Sequence, residues 1–477
     1  MIKFAGQCLL AAVLFTAGAA GGDQFKLPDL GQGGSSLFSP EQEHRLGRAW
    51  LRKFRSQVPT LDDPLLHDYL ENLIYRLVSH SELQDRRLQL VVVDNPVLNA
   101  FAVPGGVIGV HSGLLLYAHS EAELATVLAH EIAHLSQRHF SRGVERQQQQ
   151  QPWTMAGMLA GLVLIATTGS SAGMAALSAA QAATLESQLR FSRSNEQEAD
   201  RIGMQILAAA GLDPHAAPAM FERMLAASRR ASQVPEFLRT HPLTENRISD
   251  TRSRARKYPR QVRPETLSFH LMRARVQVHH ADTPVQAVSE FRGELEGQSL
   301  SREAALYGLV LALQDSGQSA EARREIQRLL DFHPNQLEYL ITSAAIEVDA
   351  GDAQAAVQNL ANVLKLHPGN HALTMAYAHA LQQNGQAHIA EQVLLGQSRL
   401  RPEDSGLWYL LAEVSGLSGN IAGLHRARAE YFMLNGVLDE AGRQLEYALR
   451  LSRDHRSSAL ISQRMKDLEE LRSQMEL

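Results

Sequence analysis

Cysteine is nearly missing from the chain. The single one, Cys8, lies in a stretch with the form of a removable export signal: Lys3 as a short positive start, Leu9 to Phe15 as an apolar core, and Ala17-Gly18-Ala19 as a small-residue cleavage site. That core is too short to span a bilayer and glycine follows it, so residues 1–22 read as a signal peptide and the chain is expected to be exported. Ala5-Gly6-Gln7 ahead of Cys8 does not resemble a lipidation box. The exported chain then carries no cysteine at all. This excludes a disulfide framework, a thiol nucleophile and a Cys-ligated metal site, and leaves histidine and carboxylates as the metal-binding side chains.

A basic block is also missing. The formal charge is −5, and −6 once Lys3 leaves with the signal, which argues against a nucleic-acid partner. Charge of either sign is missing between Arg146 and Glu186, where a glutamine run at 147–151 leads into two apolar halves broken by Thr-Thr-Gly-Ser-Ser. Each half falls short of the ~20 residues of a spanning helix, so the segment reads as a helical hairpin. Packing over a cleft, binding apolar substrate segments, peripheral contact with a membrane surface and plain burial all fit it. With 477 residues, 44% hydrophobic and 20% charged, the composition is that of a soluble multidomain protein.

Against these absences stands one dense stretch, Ser120 to His139, which reads as a helix carrying His130, Glu131 and His134. Histidines at i and i+4 lie about 40° apart around a helix, so both rings reach one cation from one face, and such pairs suit zinc. Glu131 is about 100° further round, where a general base can lean over a metal-held water. Ser120 and Glu123 form a capping-box pattern, and Leu124, Val127, Leu128, Ile132 and Leu135 form an apolar stripe that would hold the ligands rigid. Among twenty histidines such a pattern can be coincidence, and a third ligand is needed to decide.

Upstream, residues 23–38 are a Gly/Ser-rich lead-in, Ser39-Pro40-Glu41-Gln42 starts a helix, and Leu65, Tyr69, Leu70, Leu73, Ile74 and Leu77 mark another. Leu88–Val93 and Gly106–Val110 read as strands, the second placed so that an extended peptide could pair with a sheet edge across the metal. Downstream, Asn195-Glu196-Gln197-Glu198-Ala199-Asp200-Arg201 puts Glu196 and Asp200 on one helix face and Glu198 about 200° away. Acidic residues at this spacing are ordinarily a solvated face. Beside the His-Glu-x-x-His pattern, Glu196 closes the ligand set and Asp200 can bond a ligating histidine.

These motifs, with Asn99-Ala100-Phe101-Ala102-x-Pro104-Gly105-Gly106 and His241-Pro242 with Arg247, resemble the zinc peptidases that include HtpX and the CAAX prenyl endopeptidases. The absence of convincing spanning helices and the long C-terminal half are similar to its periplasmic, β-barrel assembly-enhancing branch. The resemblance implies one zinc on His130, His134 and Glu196, catalysis by Glu131, and Asp200 as partner of a ligand or proton donor. It also implies, as partners, unfolded or misassembled outer-membrane proteins and the outer-membrane β-barrel assembly complex. His241 then has two opposite roles open to it. It can donate to the reaction's oxyanion with Arg247 adding charge, or fill the fourth zinc position as a latch.

From about Leu267 the sequence repeats. Gly317, Gly351, Gly385 and Gly419 recur every 34 residues, as do Ala322, Ala356 and Ala390, and Pro334, Pro368 and Pro402. One register held by three residue classes marks tetratricopeptide helix pairs: glycine at the turn, alanine at the crossing, proline after the second helix. Ala287 is one residue out of phase, the phase resets near Gly436, and four to five units are expected. His333, His367, His371, His379 and His388 read as surface residues. The expected fold is mainly α, with a zincin-type α+β metallopeptidase domain and small sheet over 39–263 and an α-solenoid of tetratricopeptide repeats over 264–477. The expected function is a periplasmic zinc endopeptidase. Its competitor is a chaperone or scaffold whose solenoid holds clients beside a latent or structural zinc site, a role with no use for Glu131.

Overall fold

The computed structural model describes residues 39–148, 193–230, 235–261, 266–297 and 299–475. The export signal, the lead-in, the hairpin read into the uncharged stretch and the expected domain boundary at 263 lie outside these residues.

Helix α1 (Pro40–Arg55) starts at a complete capping box, Ser39 Oγ accepting from Gln42 N and Gln42 accepting from Ser39 N. Its apolar face buries Trp50 and Phe54, stacked 4.8 Å apart, with the Phe101 ring edge-on to both at 5.6 Å. Helix α2 (Pro64–Val78), capped by Asp63, supplies Leu66, Leu70, Leu73, Ile74 and Leu77 to the core. The sheet has the order β1-β3-β2: β1 (Gln89–Val93) runs parallel to the central β3 (Val107–His111), and β2 (Ala100–Val103) pairs antiparallel with β3. The strand expected to offer an edge, at 106–110, is therefore the middle one. The edge against the histidine helix is β2, a four-residue strand whose two alanines give little β signal.

The β2–β3 turn is Pro104-Gly105-Gly106, with both glycines at positive φ, a conformation that costs side-chain-bearing residues. It also seats α1, since a Cβ on Gly47 would land on the Pro104 carbonyl oxygen and one on Gly105 on the Glu43 carbonyl. Gly47→Ala gains helix propensity, roughly 1 kcal/mol, but overpacks this crossing, at about 1–3 kcal/mol. The steric term wins, and a melt should show a lowered Tm.

After α3 (Gly113–Tyr117), α4 (Glu121–Ser136) carries the histidine motif. Its capping box is half formed. Ser120 Oγ accepts from Glu123 N at 3.1 Å, while the Glu123 carboxylate takes the His119 N–H at 2.8 Å and pairs with Arg223 at 3.0 Å. Residues 123–134 are buried on every side rather than along a stripe. Ala125, Ala129 and Ala133 let neighbours close in on the second face; a Cβ on Gly203 would sit 3.2 Å from His130 N. The helix stops at Arg138, which takes φ 50°, and α5 (His139–Gln148) follows. Helices α6 (Arg193–Ala209), α7 (Ala216–Arg230), α8 (Glu236–Thr240) and α9 (Glu245–Ala255) complete this part.

Twelve helices follow among the described residues, from Leu267–His279 to His455–Met475. All four glycines at the 34-residue spacing adopt positive φ, and Ala322, Ala356 and Ala390 are fully buried. This is five helix pairs, within the four to five units expected, with two helices beyond. Gly436 explains the phase reset: it makes the same positive-φ turn only half a period after Gly419, so helix Ile421–Leu434 packs on both its neighbours. His333, His367, His379 and His388 are exposed, but His371 is buried. At the first turn of its helix it accepts from Gln397 Nε2 at 3.2 Å and reaches Asp404, the capping residue of the equivalent helix one repeat on, at 2.9 Å. One apolar core runs from Leu66 and Leu70 through α4 to Phe269, Tyr307 and Tyr339. Arg275 ties the two halves, 2.6 Å from Asp63 and 2.9 Å from the Tyr307 hydroxyl.

Candidate metal centre

Four side chains from three places in the chain converge. His130 and His134 come from α4, Glu196 from α6, and His241 from the C-terminal end of α8, each with a ligating atom within 4.8 Å of the others'. All are at most 5% exposed. His130 Nε2 is 3.0 Å from His134 Nε2, and Glu196 is 3.4 Å from each. His241 Nδ1 lies 3.1 Å from Glu196 Oε1 and 3.3 Å from His130 Nε2, and its ring stacks on Phe237 with centroids 4.8 Å apart.

The far side of each α4 imidazole is also engaged. His130 Nδ1 is 3.0 Å from Asp200 Oδ1. His134 Nδ1 is 2.7 Å from His139 Nδ1, whose Nε2 is 3.1 Å from Glu198 Oε2. Glu198 can only accept, so His139 donates through Nε2, accepts at Nδ1 and leaves the His134 Nε2 lone pair facing inward. Two imidazole lone pairs and a carboxylate thus point at one another, an arrangement that a cation between them stabilises. Adjacent vertices of a tetrahedral ion with ~2.0–2.1 Å bonds are about 3.3 Å apart, close to the 3.0–3.4 Å observed. The residues fit such an ion.

Electrostatics point the same way. Burial pushes the His130 pKa down, but hydrogen bonds to Asp200 and Glu196 raise it to about 9, a measure of the site's attraction for positive charge. Burial holds His134 well below its ordinary value, hence neutral and able to ligate. Burial would raise Glu196, yet His241 and His130 hold it well below the usual carboxylate range. Glu131, at 2% exposure, is raised by burial against the opposing pull of His241 and His130. Its Oε1 has no hydrogen-bond partner, and His241 Nε2 lies 3.5 Å from it.

Arg247 does not stand free beside a reacting oxygen. Its Nε and Nη2 each donate to Asp200 at 2.7 Å, and its Nη1 meets the Pro242 carbonyl and Glu196, both at 2.9 Å. It fixes the carboxylates and the peptide that carries His241. The expected residues are all together here; His139 is the one that sequence reasoning missed. Five residues on, it would lie on another face of a continuous helix, and only the break at Arg138 turns it back. Glu198 does point away from the metal set, as expected, and supports it through His139. His139→Ala should lower zinc affinity about 10–100-fold, read by competition with a chelating dye, with the fold unchanged by circular dichroism.

Residues 64–255 match peptidase family M48, and residues 347–414 match the tetratricopeptide repeat. The beta-barrel assembly-enhancing protease of Escherichia coli (strain K12) is 37% identical over 416 residues, 87% of this chain and 85% of that one. The putative beta-barrel assembly-enhancing protease of Vibrio cholerae serotype O1 is 36% identical over 91% of this chain and 90% of its own. The mitochondrial metalloendopeptidase OMA1 of Schizosaccharomyces pombe is 32% identical over 180 residues, half of its length. The chain belongs to the β-barrel assembly-enhancing proteases, metalloproteases of peptidase family M48 with tetratricopeptide repeats.

Proposed function

We propose that this chain is a zinc endopeptidase of the periplasm that degrades unfolded or misassembled outer-membrane β-barrel proteins, its repeats holding clients or the assembly machinery. The observation that carries the catalytic reading is the buried Glu131 carboxyl, one oxygen of which has no hydrogen-bond partner while the backbone of Ala102 holds the group, beside a set of four converging donors. His130, His134 and Glu196 would hold the zinc. Bound there, zinc polarises the scissile carbonyl and acidifies a water. Glu131 takes the proton from the attacking water and passes it to the leaving amine, and its raised pKa suits both transfers. Asp200 and Arg247 keep His130 and Glu196 in place. The outer edge of β2 beside α4 offers backbone groups to an extended substrate.

For His241 we propose the latch. In this conformation one ring nitrogen belongs to the donor set and the other faces the base, so the ring stands where substrate and water must come. The repeat array supports a partner surface of its own, because Phe332, Leu366 and Leu400, 77%, 77% and 67% exposed, recur at one position in consecutive repeats. No described helix is long and apolar enough to cross a membrane.

The test is digestion, by the zinc-loaded chain beginning after residue 22, of one outer-membrane β-barrel protein presented unfolded and folded. Cleavage of the unfolded form only, stopped by a chelator and restored by zinc, is expected. Chelator-insensitive cleavage, or equal cleavage of both forms, would sink the reading.

A further inference from the structure

A cavity of about 520 Å³ lies away from the metal centre, where α1, α2 and β1 meet the turn at 400–405 of the repeat array. That volume is in the range of small-molecule sites, roughly 300–1,000 Å³. Arg48 reaches it from α1 and is 9% exposed. Its Nη2 donates to the Arg87 carbonyl at 2.7 Å, while Nε and Nη1 have no hydrogen-bond partner. The nearest carboxylate oxygen, on Glu403, is 3.8 Å from Nε, too far for a hydrogen bond. A buried guanidinium with two unmet nitrogens is uncommon and calls for an acceptor.

The surrounding charges are otherwise matched. Arg87 is held by Asp85 and Glu41, Arg401 by Asp68 and Glu71, and Asp404 by His371. What remains is Arg48 and Arg55 against Asp62 and Glu403, with Arg52 behind them on the same face of α1. Burial lowers the pKa of all three arginines, that of Arg52 to about 10, and raises that of Asp62 to about 6, so charges of both signs are desolvated around the cavity. Geometry names the ligand's reactive end. The bond to Arg87 uses one Nη2 hydrogen, so one two-donor edge of the guanidinium, Nε with Nη2 or Nη1 with Nη2, stays complete for an acceptor with two oxygens.

We infer that this cavity binds a small organic oxyanion, a carboxylate or a phosphate ester, on the free edge of Arg48. The ligand bridges β1 of the protease part and the 400–405 turn of the repeats, so its binding stiffens their junction.

The test is titration of the full-length, zinc-loaded chain with succinate and with glycerol 3-phosphate, each against sodium chloride at matched ionic strength, followed by calorimetry and by Tm. Saturable binding of either ligand, with a rise in Tm, is expected, and the ligand that binds identifies the acid group. Arg48→Met should weaken it at least tenfold, while Arg450→Met, on the surface, should not change it. Arg48→Lys, which keeps the charge but loses the paired donors, should also weaken it tenfold and carries the comparison if Arg48→Met does not fold. No saturable response to either ligand, or an equal response in the Arg48 variants, would overturn the proposal and leave ordered water as Arg48's partner.

Discussion

Glu131→Gln should bind one zinc per chain and cleave unfolded substrate ~10²–10⁴-fold more slowly than wild type, the range that general-base removal spans. Glutamine matches the volume of glutamate, so the packing that buries residue 131 on α4 survives. It cannot take a proton from water. Glu131 is not among the four converging donors, so metal content should not change, and elemental analysis of both proteins checks this in one experiment. Loss of zinc in the variant would make Glu131 a structural residue, and retained cleavage would require another base. Asp200 and Glu196 are poor substitutes, because hydrogen bonds and charge from Arg247, His130 and His241 hold both below the usual carboxylate range despite their burial. A carboxylate so stabilised as an anion has little hold on a proton. The same variant separates protease from scaffold, since client assembly that survives Glu131→Gln belongs to the repeats.

How much of this was legible in sequence depends on how far apart the cooperating residues lie. His130 with His134, and Glu196 with Asp200, are one helical turn apart, so periodicity alone aligns them. The repeats were legible for a similar reason, because each glycine turn and alanine crossing recurs with the unit. Periodicity says nothing where the chain breaks. His139 joins His134 only through the turn at Arg138, and Gly436 restarts the array at half a period. Composition hid β2, whose alanines carry no strand signature although it packs directly against α4. Local rules also failed where tertiary partners outbid them. Arg223, a hundred residues away, draws the Glu123 carboxylate out of the expected capping box, and Asp404 draws His371 inside while the other four repeat histidines read as surface residues stay exposed. The convergence of His241 on the metal set came from resemblance alone, since no local rule relates it to residues 45 and 111 positions away.

That residue yields the second large effect. His241→Ala should raise cleavage of an unfolded substrate while weakening zinc binding, two changes that a simple structural role would not produce together. Its Nδ1 is within 3.1–3.3 Å of Glu196 and His130, and its Nε2 is 3.5 Å from Glu131. One ring thus stands against both the donor set and the base. On the proposed latch, cleavage requires that ring to leave, which means breaking its stacking on Phe237 and moving a peptide whose next carbonyl, that of Pro242, is held by Arg247. An open state populated at ~1–10% at rest would let the alanine variant gain up to ~10–100-fold. A smaller fourth side chain also removes one donor, so the zinc off-rate should rise, and the assay needs zinc in excess to keep the two effects apart. If cleavage only falls under those conditions, the latch is wrong. His241 then acts on the substrate as an oxyanion donor, and His241→Gln, which restores an N–H, should recover part of the loss. A latched enzyme explains how a protease aimed at unfolded chains could sit among folded neighbours without cutting them. The trigger would be whatever displaces His241, and a client strand pairing with the edge of β2 beside α4 is well placed to do so.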